Sequence, residues 1–143
     1  MPSSGTIALV LGAALSTFAA IAHLACVVLG PAAYRFMGAG EKMARAVEAG
    51  RFQPTVVTLV IATTLLTWAA YALSGAGLIG RLPLTKLALL AITAVYLGRA
   101  VAFPLLRPAF PENSTTFWLV SSGVCLVIGL VHAYGVASRW SNL

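Results

Sequence analysis

Four long, largely apolar runs divide this 143-residue chain, covering residues 6–30, 54–74, 83–103 and 115–136. Each reaches the roughly 20 residues that a helix needs to cross the hydrocarbon core of a bilayer. A chain cut this way has few folds open to it, because a backbone in lipid must satisfy its own polar groups, and a helix does so within one segment. The expected architecture is an all-α, four-transmembrane-helix bundle forming a single domain over residues 1–143, with no room for a soluble domain between the runs.

Charge supports that reading. Only 8% of the residues are charged, and the mean hydropathy is +0.96. Soluble domains carry about 25% charged residues, so most of this surface is expected to face lipid. There is no Asp, and Glu41, Glu48 and Glu112 all fall outside the apolar runs. The net charge of +6 does not point to nucleic acid, because most of the bases flank the spans, where Lys and Arg set orientation and meet lipid head groups. Arg35, Lys42, Arg45, Arg51, Arg99 and Arg107 lie toward one side, and Arg81, Lys86 and Arg139 toward the other. By the positive-inside bias, the connections after the first and third runs are cytoplasmic and both termini periplasmic. Ala20-Ile21-Ala22 has the small-x-small form of a cleavage site, but no base precedes Thr6, so the first run is read as a retained helix.

The connections carry their own signals. Residues 41–48 read as a short helix, with Glu41 and Arg45 at i,i+4 and Met43, Ala46 and Val47 on another side. That piece is either interfacial, lying among head groups, or a solvated turn. Pro83 is expected in the first turn of the third helix. Pro104, Pro108 and Pro111 make the last connection a hairpin that cannot be helical throughout, and Asn113 and Ser114 offer a cap for the fourth helix. Trp68, Tyr71, Trp118, Tyr134 and Trp140 fall toward span ends, as aromatic belt residues do. Gly75-Ala76-Gly77-Leu78-Ile79-Gly80 spells G-x-G-x-x-G, but it follows a membrane span and has no acid about 20 residues on, so it is a turn.

The run Gly38-Ala39-Gly40-Glu41-Lys42-Met43-Ala44, the exit Tyr71-Ala72-Leu73-Ser74-Gly75 and the segment Tyr96-Leu97-Gly98-Arg99 resemble a family of small four-span bacterial inner-membrane proteins. The resemblance covers most of the chain. It implies the topology and a bacterial inner-membrane location, and it carries over no activity and no functional residue.

The candidate site centres on Arg99, a base inside a span. Such residues are rare and commonly turn toward a bundle interior or a water-filled cavity. Two readings compete. Arg99 snorkels to the nearby head groups, or it turns inward and holds an anionic head group or carboxylate with its guanidinium fork. At ~1.5 Å per residue, Arg99 and His23 both lie roughly 25 Å from the outer surface. Tyr96, Gln53 and Thr58 approach the same depth, with Tyr34 and Arg35 at its mouth, which suggests one polar pocket at the cytoplasmic end. His132 lies only ~9 Å down by the same count, about 16 Å from His23, too far for two ligands of one haem iron. No metal or cofactor is expected. Cys26 and Cys125 lack metal or redox spacing and read as packing residues. Gly12-x-x-x-Ser16-x-x-x-Ala20 is a close-packing pattern of membrane helices.

Three functions fit. The first is a non-enzymatic membrane protein: an accessory or assembly subunit, or a binder of lipid or another anionic amphiphile. The second is an intramembrane enzyme acting on a lipid or isoprenoid, with His23 as acid/base and Arg99 as anion holder. The third is an oligomeric transporter or channel, weakened by the lack of any acid in the spans to couple ions. Partners are membrane lipids and a homo-oligomer or larger membrane complex.

Overall fold

A computed structural model describes residues 1–143, and the chain is 80% helix with no strands. Helix α1, Ser4–Leu29, starts where the Ser3 side chain accepts from the Thr6 N–H. It stops at Gly30, whose positive φ of 83° only glycine takes without strain. Pro31 then opens α2, Pro31–Phe36, a helix that the sequence reading did not anticipate. The expected short helix is present as α3, Glu41–Glu48, with Glu41 in its first turn and Arg45 in its last, both favourable to the helix dipole.

Helix α4, Gln53–Ala76, has Pro54 in its first turn and ends on Gly77 in the left-handed conformation. The turn that follows hangs on Ser74, whose Oγ accepts from the Leu82 N–H and donates to the Gly80 carbonyl. The expected start of the third helix at Pro83 needs correction. Leu84 takes a positive φ of 55°, which breaks the helical path, so α5 begins at Thr85 and runs to Val101. Nor is the third run one straight rod. Beyond Ala102 the chain turns through 65° into α6, Phe103–Leu106, followed by a 3-10 turn over Arg107–Ala109. Pro104 accounts for the break, since it has no N–H to give the preceding turn. Helix α7, Thr115–Ser138, is capped as expected by Ser114, which accepts from the Phe117 N–H.

Helices α1, α4 and α7 are long and apolar enough to cross a membrane, and α5 with α6 passes only as a bent pair. Helix α1 packs along α4 on one side and α7 on the other; α5 lies against α7 and, less closely, α4. The close approach of α1 rests on small residues, with Gly5, Ala8, Gly12, Ala13, Ser16 and Ala20 all buried. Leu9 fits over Gly135, and Ala62, Ala69 and Ala72 line the facing side of α4. Only 34 of 143 residues are buried, while Phe18, Val28, Val60, Leu119 and Leu130 stand exposed. That outward apolar surface suits lipid and would be a liability in water.

Candidate functional site

The seven residues expected to share one polar pocket do not form one cluster. They fall into separate groups, because side-chain direction separates residues that depth along the axis had brought together. Tyr34 and Thr58 form a buried pair, hydroxyl to hydroxyl at 3.0 Å, tying α2 to the first turns of α4. The Thr58 Oγ1 also donates to the Pro54 carbonyl. Gln53 is exposed at the start of α4. Arg35 lies outside the bundle and grips two acids of α3, with a fork to Glu41 at 2.8 and 2.9 Å and one bond to Glu48 at 2.7 Å.

That last arrangement is an electrostatic clasp. Arg45 reaches Glu41 at 3.3 Å, and Glu112 accepts from the Glu41 backbone N–H at 3.2 Å. Asn113 donates to the Gly38 carbonyl, and Phe117 lies where a side chain at Gly38 would have to go. The connection before α7 is thereby pinned to the α2–α3 segment. The Arg35 guanidinium, then Arg45, hold the Glu41 carboxyl down at about 2, well below its ordinary 4.5. Its two carboxylate partners raise the pKa of Arg35 in turn.

Tyr96 belongs to a different layer. Its hydroxyl pairs with the Ser16 hydroxyl at 2.8 Å, its ring stacks on His132 at 5.5 Å, and Trp68 meets it edge-on at 5.3 Å. His132 is fully buried; its Nδ1 bonds the Ile128 carbonyl of its own helix, and its Nε2 has no partner. The ring fits because α1 presents Gly12 there, where a Cβ would come within 2.7 Å of Cε1. Trp68, read as a belt anchor, is therefore a half-buried wall of this layer.

Arg99 points along α5 toward the N-terminal end of α7. Its guanidinium donates to Ser121 at 3.2 Å and Ser122 at 3.5 Å, and lies 5.2 Å from the centre of the Trp118 ring. Trp118 is a second correction to the aromatic belt. It is 2% exposed, enclosed by Phe110 and Phe117, and its Nε1–H is a buried donor without an acceptor. Arg99 is only half-buried, and no carboxylate reaches it.

His23 bonds the Ala19 carbonyl of its own helix through Nδ1 at 2.7 Å and makes no hydrogen bond to Arg99. The register that sets Gly12 against His132 and Leu9 against Gly135 carries His23 to the level of Ser121, so the imidazole and the guanidinium share a layer without a hydrogen bond between them. His23 and His132 are separated by about three turns of helix. Cys26 and Cys125 are free thiols.

Ser16, Ser121 and His132 lie on small and polar helix faces that the sequence itself offers, whereas Trp118 and Ser122 are partners that it did not place in a site. Trp118, Ser122, Gly129, His132 and Val136 do recur at helical spacing on one face of α7, which was the available signal. Chemically, the Arg99 layer is rich in donors and short of acceptors: an intact guanidinium, an indole N–H and two hydroxyls, with no anion among them. Comparison with protein families, with curated proteins and with solved structures finds no match.

Proposed function

We propose that the chain is a four-crossing membrane protein that binds an anionic amphiphile at Arg99 and is not an enzyme. Its place is the bacterial inner membrane, with the Arg99 end of the bundle cytoplasmic. The observation that carries this reading is the partnering of Arg99. All three acids of the chain are drawn into the clasp around α3, so the one guanidinium set among apolar helices meets only hydroxyls and an aromatic face. A charge so placed gains from a ligand anion that accepts its remaining N–H groups. The orphaned Trp118 N–H adds to the same demand.

What supports four crossings is the meeting of the two end helices. Tyr134 donates to Ser4 at 2.9 Å and Arg139 to Thr6 at 2.6 Å, so the start of α1 and the end of α7 lie side by side. Ends on one side require an even number of passes, with the bent α5–α6 pair as the third. The distribution of bases supports the orientation, and the resembling segments support the bacterial location.

The test is retention of anionic amphiphile by the purified chain, read by native mass spectrometry. Arg99→Leu is expected to lower retention roughly ten- to hundredfold, the range of a hydrogen bond to a charged group. Arg99→Lys keeps the charge without the fork and is expected to fall between. Unchanged retention and unchanged thermal stability in Arg99→Leu would reduce Arg99 to a snorkelling side chain.

A further inference from the structure

At the same end of the bundle, but outside the spans, lies a groove of about 810 Å³ between α3, the start of α4 and the connection before α7. That is within the size range of small-molecule sites. Its charged lining is unevenly used. Glu41 is spent on Arg35 and Arg45, and Arg45 reaches Glu41 through its Nε–H. Lys42, Arg51 and Glu112 also line it, and none of them makes an ion pair. Met43 and Phe110 supply an apolar wall.

A ligand for this groove must answer two bases and one acid. A simple anion would face Glu112 uncompensated, and a simple cation would face Lys42 and Arg51. Position narrows the choice further. Gln53 lines the groove and begins α4, a helix long and apolar enough to cross a membrane, so the groove opens at the level of the head groups.

We propose that the groove seats the zwitterionic head group of a membrane lipid, its phosphate against Lys42 and Arg51 and its primary ammonium against Glu112. The proposal rests on the membrane reading above and is independent of Arg99. Lipids whose amine is fully methylated cannot donate to Glu112, and lipids without an amine leave it unpaired. The groove therefore selects between head groups as well as binding phosphate.

The test uses the full chain in nanodiscs of mixed lipid, with bound lipid read by native mass spectrometry. The wild type is expected to retain phosphatidylethanolamine over both phosphatidylcholine and phosphatidylglycerol. Glu112→Gln keeps an oxygen for the Glu41 N–H but loses the charge. It is expected to cut the ethanolamine preference about fivefold, the upper range for an exposed ion pair, without lowering phosphatidylglycerol. The double variant Lys42→Gln, Arg51→Gln is expected to lower retention of both lipids. These three side chains are exposed, so the variants leave the core intact. Equal retention of the ethanolamine and choline lipids, or a preference that survives Glu112→Gln, overturns the proposal. Binding of soluble phosphoethanolamine with no lipid preference in the bilayer overturns the lipid assignment. Arg99→Leu is expected to leave the ethanolamine preference in place. If that variant removes the preference and Glu112→Gln does not, the lipid sits at Arg99 and the groove is empty of function.

Discussion

A single missing methyl group at Gly12 decides how closely α1 and α7 approach. The His132 ring occupies the space where a Cβ would stand, and through that ring the contact extends to Tyr96 and Ser16. Gly12→Ala forces the ring or the helices apart and is expected to cost about 1–3 kcal/mol, as overpacking does. Thermal unfolding in detergent measures it. In a His132→Ala background the obstacle is gone, so the same substitution is expected to cost much less. Gly80→Ala, where a Cβ meets nothing within 4 Å, serves as the control. Equal losses for Gly12→Ala with and without the imidazole would mean that the ring is not what limits the approach. The partners of Tyr96 show the limit of reading by depth. A phenol reaches several ångströms from its backbone, so its layer is set by rotamer and not by position along the helix.

Among the elements, α3 depends on pairing more than the long helices do. It is short, it sits outside the apolar core, and its acids are held by Arg35 from a neighbouring helix. Because the folded state holds the Glu41 carboxyl at about 2 against an ordinary 4.5, ionisation favours the clasp. Its contribution is fully present above pH 4.5 and is lost as the pH falls through about 2. Arg35→Gln removes the largest cause and is expected to move Glu41 back toward 4.5, so that α3 loosens at higher pH. Carboxyl titration by NMR, together with a spin-label distance from Ala46 to Ala109, checks both parts. A wild-type Glu41 titrating near 4.5 would mean that the clasp is not formed in solution. The break at Ala102 is an element-scale feature of another kind. Pro104 stops α5 short, and the turn of 65° swings Phe110 and Glu112 toward α3.

For the whole molecule, the decisive prediction concerns the number of crossings. With the two native cysteines replaced by alanine, single cysteines at Ser3 and Ser141 are expected to react with a membrane-impermeant thiol reagent from the same side. A cysteine at Ala46 is expected to react only from the other. Opposite labelling of the first two positions would leave three crossings and take α5 out of the membrane. The same bundle order explains why the charged groups collect as they do. The first and third connections meet at one end, where Asn113 and Glu112 fasten onto residues 38 and 41. At the other end, Arg139 ties Thr6 to the Gly75 carbonyl.

Hydrophobic run length and cap chemistry are local properties, and they were enough to give the long helices and α3, though not α2 or α6. Three of the four expected spans appear within two residues of their predicted ends, Ser114 caps α7, and residues 41–48 form the short helix expected of them. Leu84 and the Pro104 break shortened the other span, since a strained φ and a lost N–H act at single residues beneath a run that stays apolar throughout. The partners of the polar side chains belonged to the tertiary structure alone. Arg99 turned toward Ser121, Tyr96 toward Ser16, and Arg35 away from the bundle toward Glu41. Depth along an axis is linear in residue number, but rotamer and helix rotation are not, and those two choose the neighbour that a polar group finds.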